Sequence, residues 1–172
     1  IDLPNDHPIF SCFYKMDGYP QTPGLGSFLQ GRTWEKGGYI AALRAFYAQS
    51  SALIVERLVR GVDVAVLCEG DPLFYGSYLH LHAILQREHR CVVIPGITSF
   101  AGCAARAGLP LVSTDSVFSV LPGTLPEAEL EQRLRAPDAV VIIKLGRNFP
   151  KVRGVLERVG RAASATYVEH GT

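Results

Sequence analysis

The sequence predicts an α/β fold, in which helices cover a sheet. Short apolar runs alternate with stretches of helical periodicity along most of the chain, and short links join them. The 172 residues suffice for one domain or two small ones, with about 70% of the unfolded surface buried. A composition of 48% hydrophobic and 19% charged residues is typical of a globular protein.

Several elements are predicted in chain order. The first 40 residues contain ten Gly and Pro, so the region 1–38 is expected to be loop-rich. A helix follows over about 35–60, on the near-3.6 periodicity of its apolar residues. We expect its apolar face, with Tyr39, Phe46 and Tyr47, to lie in the core, and the alternative is a dimer interface. Strands are then predicted over 62–68, 91–94, 115–121, 139–145 and 165–169. Helices are predicted over 77–90, up to Arg106, over 126–135 and over 150–159.

A domain boundary is predicted near Leu109–Asp115, where Gly108-Leu109-Pro110 breaks the alternation of strand and helix. The boundary gives an N-terminal α/β domain over 1–112 and a C-terminal α/β domain over 113–172. Both halves contain predicted strands and helices, so each is expected to build its own layered core.

Charge and apolar run lengths exclude some partners. Seventeen Lys and Arg against sixteen Asp and Glu leave a net charge of +1, whereas a nucleic-acid binder needs surplus cations to displace counterions from phosphates. No run approaches the roughly 18 apolar residues of a membrane span, and no signal peptide is recognisable. We therefore expect a cytoplasmic protein with neither a nucleic-acid nor a membrane partner.

The four cysteines are predicted to be buried, reduced thiols. They form no CxxC pair, and none has a nearby His at the spacing of metal ligands. Three lie inside apolar stretches, where a free cysteine behaves as a small hydrophobic residue. No metal site is predicted.

Three loops follow predicted strands, where open α/β sheets bind their ligands. In the first, Gly70 permits close approach of a ligand, Asp71 offers an acceptor, and Phe74 and Tyr75 offer aromatic faces. The alternative is a plain turn in which Asp71 caps the next helix. The second loop is Pro95-Gly96-Ile97-Thr98-Ser99, whose hydroxyls can cap a helix or bind a ligand. The third is Lys144-Leu145-Gly146-Arg147-Asn148, whose alternative is a turn with solvated cations.

Taken together, these loops resemble the tetrapyrrole (corrin/porphyrin) methylases. The segment 67–77, with Cys-Glu before Gly-Asp-Pro and Tyr-Gly-Ser after it, resembles the central motif of the members that methylate carbon 20. The stretch 95–99, followed by an Ala-rich helix and Gly-Leu-Pro-Leu, is similar to the second S-adenosylmethionine region of the family. Segments 121–126, 144–147 and 167–172 also resemble the carbon-20 enzymes. The likeness extends from about Tyr39 to the end.

The resemblance implies two α/β domains with S-adenosylmethionine in the cleft between them, and a homodimer. The implied cofactor-binding residues are Glu69, Gly70, Asp71, Phe74, Thr98, Ser99, Leu145 and Gly171. Tyr75, Lys144 and Arg147 are the implied substrate-binding residues, and the two cations can pair with substrate carboxylates.

The implied activity is S-adenosylmethionine-dependent methyl transfer to carbon 20 of precorrin-2 in cobalamin biosynthesis. Such a ring carbon is already nucleophilic, so the enzyme needs mainly to hold donor and acceptor in line and about 3 Å apart. The residues nominate no catalytic base. Two alternatives stay open: cobalt-factor II as the substrate, and a non-catalytic fragment that binds a tetrapyrrole.

The chain departs from the family pattern at both ends. Relatives open with a strand and a Gly-x-Gly-x-Gly-Asp-Pro loop, and Pro23-Gly24-Leu25-Gly26 does not replace it because no strand is predicted before it. Relatives also continue beyond the Gly-Thr of the last strand. Both domains are therefore expected to be truncated.

Overall fold

The computed structural model describes residues 9–11 and 38–169, which fall in two compact units, Ile1–Ile97 and Thr98–Thr172. Both units contain helices and parallel strand pairs, so the α/β class is confirmed. The helix Ser99–Ala107 belongs to the second unit. A domain boundary near Leu109–Asp115 remains a prediction. None of the helices in the described residues is long and apolar enough to cross a membrane.

Unit 1 has two strands and two helices. They are β1 (Ile9–Ser11), α1 (Gly38–Leu58), β2 (Ala65–Leu67) and α2 (Tyr78–Leu85). Strand β1 pairs in parallel with β2, with Phe10 opposite Val66. The sequence predicted no strand in this loop-rich region, so β1 adds an element to the predicted set. Its three residues form a strand because β2 supplies the hydrogen-bonding partner, which the surrounding Gly and Pro residues concealed in the sequence.

The core of unit 1 lies between its two helices. Phe46 and Tyr47 of α1 are buried against α2, which confirms their assignment to the core. Their rings meet edge to face, with centroids 5.2 Å apart. The other buried members of this cluster are Ile54, Tyr78, Leu81 and Leu85.

Two predicted strands are absent from the described residues. The segment 91–94 forms no strand, although Cys91 and Val93 pack half-buried against the core and Val92 is 72% exposed. The apolar residues of 91–94 therefore indicate that one face of the segment is buried. A strand also needs a hydrogen-bonded partner strand, which the apolar pattern does not show. The segment 165–169 is exposed and forms no strand either, and the ring of Tyr167 contacts that of Phe149, with centroids 4.9 Å apart.

Unit 2 is built around a complete β–α–β segment. Strands β3 (Phe118–Pro122) and β4 (Ala139–Ile143) pair in parallel from Phe118–Ala139 to Pro122–Ile143. The remaining elements are α3 (Ser99–Ala107), α4 (Glu127–Leu134), α5 (Phe149–Arg158) and the 3-10 turns Gly146–Asn148 and Ala162–Ser164. Each predicted helix of this unit is present, and each end predicted to a residue is shifted by one residue.

The core of unit 2 packs α4 and α5 on the sheet. Its buried residues are Leu121, Leu130, Leu134, Val152 and Val155. On the surface, Arg158 of α5 bonds Glu127 and Glu131 of α4. Hydrogen bonds from Arg135 and Arg158 lower the pKa of the Glu131 carboxyl below its ordinary value.

Candidate functional site

The loop at the carboxyl end of β2 carries the predicted site residues of unit 1. It begins at the exposed Glu69, and Gly70 adopts the left-handed backbone conformation, with φ +71°. Tyr75 does so as well, at φ +53°, which is uncommon for a residue with a side chain. The loop then enters α2 with Ser77 at the helix N-cap. With two left-handed residues within six positions, the loop turns back on itself, and Gly76 comes close to the backbone of Asp71 and Pro72.

The Asp71 carboxylate is bonded within unit 1. One oxygen, Oδ1, accepts from the backbone N–H of Leu73 at 2.9 Å, and Oδ2 accepts from the backbone N–H of Gly96 at 3.1 Å. Asp71 does not cap α2, because Ser77 holds the cap position. The cap in this alternative is therefore wrong, whereas its turn is present, since the N–H of Phe74 bonds the carbonyl oxygen of Asp71. The carboxylate ties the loop after β2 to a segment 25 residues further along the chain.

Gly70 and Gly96 bring the backbones of these two segments into close contact. A Cβ atom added to Gly96 would lie 2.2 Å from the carbonyl oxygen of Gly70, so no side chain fits there. Gly76 is nearly as restricted, since its Cβ would lie 2.9 Å from the oxygen of Pro72. The set of site residues predicted from the sequence omits Gly96. The available signal was a Pro-Gly pair directly after an apolar run.

Aromatic side chains border this backbone. Phe74 is 37% exposed and Tyr75 is 47% exposed, with ring centroids 5.1 Å apart in an edge-to-face arrangement. Leu73 beside them is also exposed. Exposed backbone at Gly70 and Gly96 and partly exposed aromatic side chains are the two kinds of group that contact a nucleoside.

The side chains that follow the loop are engaged in structural contacts. His80 packs on the ring of Tyr47, with centroids 4.6 Å apart, and the His82 Nδ1 atom lies 3.4 Å from the Tyr78 hydroxyl oxygen. Burial, then the neighbouring thiol of Cys91, raises the pKa of Tyr78 to about 12. His80 and His82 thus act as packing partners for two tyrosines.

The cysteines of the described residues are less buried than the sequence predicts. Cys68, Cys91 and Cys103 are half-buried rather than buried. The first two pack at the margin of the unit 1 core. Within residues 9–11 and 38–169, no cluster of three or more His, Cys, Asp or Glu side chains is arranged to hold a metal ion.

Thr98 and Ser99 stand at the start of α3. Thr98 occupies the N-cap with an extended backbone, φ −64° and ψ +146°, and its hydroxyl makes no capping hydrogen bond among the described residues. Ser99 is exposed at the first helical position. Thr98 therefore holds the cap position that the sequence offered it, but its hydroxyl makes no capping bond to the helix end.

The loop after β4 carries three of the predicted site residues in unit 2, Lys144, Leu145 and Arg147. Lys144 and Arg147 are exposed, and Lys144 has a left-handed backbone with φ +59°. Leu145 is half-buried and packs against the core, so it has a structural role in addition to the predicted one. The N–H of Gly123 bonds the carbonyl oxygen of Ile143 at 2.7 Å, which holds the ends of β3 and β4 together.

The structure therefore gathers the predicted residues in separate groups. Glu69, Gly70, Asp71, Phe74 and Tyr75 share one loop of unit 1, whereas Lys144, Leu145 and Arg147 share one loop of unit 2. Gly171 lies outside the described residues.

Comparisons with known proteins agree with the motif analysis. The model of the Tetrapyrrole (Corrin/Porphyrin) Methylases matches residues 28–172. The chain is 52% identical over 138 residues to the precorrin-2 C(20)-methyltransferase of Sinorhizobium sp, covering 80% of this chain and 56% of that protein. It is 48% identical over 136 residues to the cobalamin biosynthesis protein CobIJ of Mycobacterium tuberculosis, covering 79% of this chain and 27% of CobIJ.

A more distant match is the cobalt-precorrin-2 C(20)-methyltransferase of Salmonella typhimurium. The identity is 27% over 132 residues, covering 77% of this chain and 56% of that protein. The chain thus spans about half the length, or less, of these curated relatives.

Proposed function

The chain belongs to the tetrapyrrole (corrin/porphyrin) methylases, and from this premise we propose that it transfers a methyl group from S-adenosylmethionine to carbon 20 of precorrin-2 in cobalamin biosynthesis. The observation that carries the proposal is the 52% identity to a precorrin-2 C(20)-methyltransferase over 80% of the chain. The contact between the loop after β2 and Gly96 in unit 1 adds physical support.

The residues of unit 1 fit a nucleoside cofactor. Gly70 and Gly96 lie so close that a Cβ atom on Gly96 would meet backbone, which leaves main-chain atoms rather than side chains at this edge. Phe74 and Tyr75 add partly exposed aromatic side chains. We propose that the backbone of Glu69, Gly70 and Asp71 and the ring of Phe74 bind S-adenosylmethionine, and that Tyr75 binds the tetrapyrrole.

Residues of unit 2 complete the proposed set. The uncommitted Thr98 hydroxyl and the exposed Ser99 can bond polar groups of the cofactor, and the half-buried Leu145 can give an apolar wall. Gly171 is retained from the family pattern. Lys144 and Arg147, exposed at the end of β4, would pair with carboxylates of the tetrapyrrole.

Catalysis in this proposal is positional. S-adenosylmethionine supplies a methyl group made electrophilic by its sulfonium. The loops of the chain would hold the cofactor through backbone and ring contacts, and the cations would fix the substrate's orientation. Because the ring carbon is itself nucleophilic, alignment supplies the main acceleration. A two-domain arrangement with a cofactor cleft, a homodimer and a cytoplasmic location are part of the same proposal.

The metal content of the substrate is the second question. The match to a cobalt-precorrin-2 C(20)-methyltransferase supports a cobalt-containing substrate, here cobalt-factor II, as the alternative, although the identity to that protein is 27% against 52% for the precorrin-2 C(20)-methyltransferase. We therefore place precorrin-2 first.

The test is methyl transfer by the purified chain, with each substrate supplied separately. Radioactive methyl incorporation into precorrin-2, located at carbon 20 by NMR, is the expected result. Transfer only to cobalt-factor II would favour the alternative substrate. No S-adenosylmethionine binding in calorimetry, together with no transfer to either substrate, would overturn the enzymatic proposal and favour the fragment that binds a tetrapyrrole.

A further inference from the structure

The Asp71 carboxylate joins two segments that are far apart in the sequence, through the N–H groups of Leu73 and Gly96. We propose that Asp71 is a positioning residue: its side chain fixes the backbone of residues 69–71 in the shape that binds S-adenosylmethionine and does not itself contact the cofactor. This inference rests on the proposed function, and it changes the role that the sequence suggested for the carboxylate, an acceptor for a ligand hydroxyl or amine.

Both oxygens of the carboxylate already accept from the backbone. Hydrogen bonds from N–H groups to an ionised carboxylate are shorter and stronger than those between neutral groups. The bond to Leu73 shapes the turn after Gly70, and the bond to Gly96 anchors that turn to the second segment. The Asp71 side chain thus fixes both the backbone conformation of the loop and its position relative to Gly96.

The glycine contact shows that the anchored segments lie backbone against backbone. The carbonyl group of Gly70 and the N–H of Asp71 lie against Gly96, with a Cβ position at Gly96 only 2.2 Å from the Gly70 oxygen. Loss of the Asp71 bond would let the two backbones separate. A displacement of about 1 Å at a binding surface lowers activity severalfold to a hundredfold.

The first test is Asp71→Asn in the full chain. An asparagine has one acceptor oxygen and one NH2 group, so one of the two backbone N–H groups would face a donor. We expect faster amide exchange at Leu73 and Gly96 and about tenfold weaker S-adenosylmethionine binding, the loss of one charge-assisted hydrogen bond. Glu88→Gln, an exposed carboxylate of the same unit away from the loop, is the matched control and should change neither.

The second test separates positioning from direct contact. Gly96→Ala disturbs the same backbone contact from the opposite side, so the double variant should bind S-adenosylmethionine no more weakly than the weaker single variant. Additive losses of affinity, or normal amide exchange in Asp71→Asn, would show direct contact and overturn the proposal. If Gly96→Ala does not fold, the exchange and binding data of Asp71→Asn decide alone.

Failure of the proposed function would look different. If the wild-type chain did not bind S-adenosylmethionine at all, the function would be overturned, and the positioning role with it. The exchange rates at Leu73 and Gly96 would still show whether the carboxylate holds the two segments together.

Discussion

The carbonyl oxygen of Gly70 lies 2.2 Å from the position that a Cβ atom of Gly96 would occupy. Both glycines belong to unit 1, and the neighbouring Asp71 bonds the N–H of Gly96. This contact joins the loop after β2 to the segment at Gly96, and both glycines remain exposed, so main chain is accessible there. It is the feature on which the proposed cofactor site most depends.

Gly96→Ala should therefore destabilise unit 1. The added methyl group meets backbone atoms, which cannot move aside as a flexible side chain would, so we expect a loss of about 1–3 kcal/mol in the free energy of unfolding. Urea unfolding, monitored by amide exchange at residues of unit 1, measures this loss of free energy. An unchanged free energy of unfolding would mean that the backbones at Gly70 and Gly96 are too far apart for an alanine methyl group to clash.

Gly154→Ala is the opposite case and serves as its comparison. Gly154 lies inside α5, and its Cβ would meet only the Arg158 guanidinium, at 3.7 Å. Because alanine is the better helix former, we expect the free energy of unfolding of unit 2 to rise by about 0.5–1 kcal/mol. If thermal or urea unfolding showed that Gly154→Ala lowered the free energy of unfolding instead, the added methyl group would have to meet other atoms, and the space around Gly154 would not be open.

The buried phenol of Tyr78 should make unit 1 sensitive to alkaline pH. Its pKa is about 12 in the folded chain, whereas an unfolded tyrosine ionises near 10. The folded state therefore keeps its proton longer, and the stability that Tyr78 contributes is complete below about pH 10 and is lost as the pH rises to about 12. Tyr78→Phe should show a shallower loss over this window in urea unfolding. Identical pH slopes in the two proteins would rule out the shift.

Leu130 should be critical for the core of unit 2. Its side chain is fully buried, so Leu130→Ala removes about 2–5 kcal/mol from the free energy of unfolding through lost burial and a residual cavity. Leu109→Ala, at a position 46% exposed, is the matched control and should cost no more than about 0.5 kcal/mol. Equal effects in urea unfolding would contradict this assignment of the core.

The sequence predicts a strand correctly where the apolar run and the strand that pairs with it lie close together in the chain. Strands β3 and β4 were predictable because both their apolar character and their partner lie within one short β–α–β segment. Strand β1 was missed, and 91–94 was assigned to a strand that does not form, because an apolar run shows burial but not which strand supplies its hydrogen bonds.

The candidate site shows the same limit. The Gly-Asp-Pro segment pointed to the loop after β2, but sequence could not show that Asp71 bonds Gly96, since that contact depends on how distant segments meet. Left-handed backbone at Tyr75 and Lys144 was equally hidden, because such conformations arise from the surrounding loop rather than from the propensity of the residue.

Arg147 provides the sharpest test of the proposed substrate site. It is exposed in the loop after β4, and its guanidinium would pair with a substrate carboxylate, so Arg147→Ala should raise the KM for precorrin-2 about tenfold, the loss of one charge-assisted bond. The affinity for S-adenosylmethionine should stay within about twofold, because the proposed cofactor contacts are elsewhere.

Arg153→Ala is the control for charge alone. It removes an exposed arginine from α5 of the same unit, where Arg153 pairs with Glu157 at 3.0 Å. The KM for precorrin-2 should not change in this variant. If both substitutions raised the KM equally, long-range attraction between a cationic surface and an acidic substrate would explain the effect. If neither raised it, Arg147 would have no part in binding the tetrapyrrole.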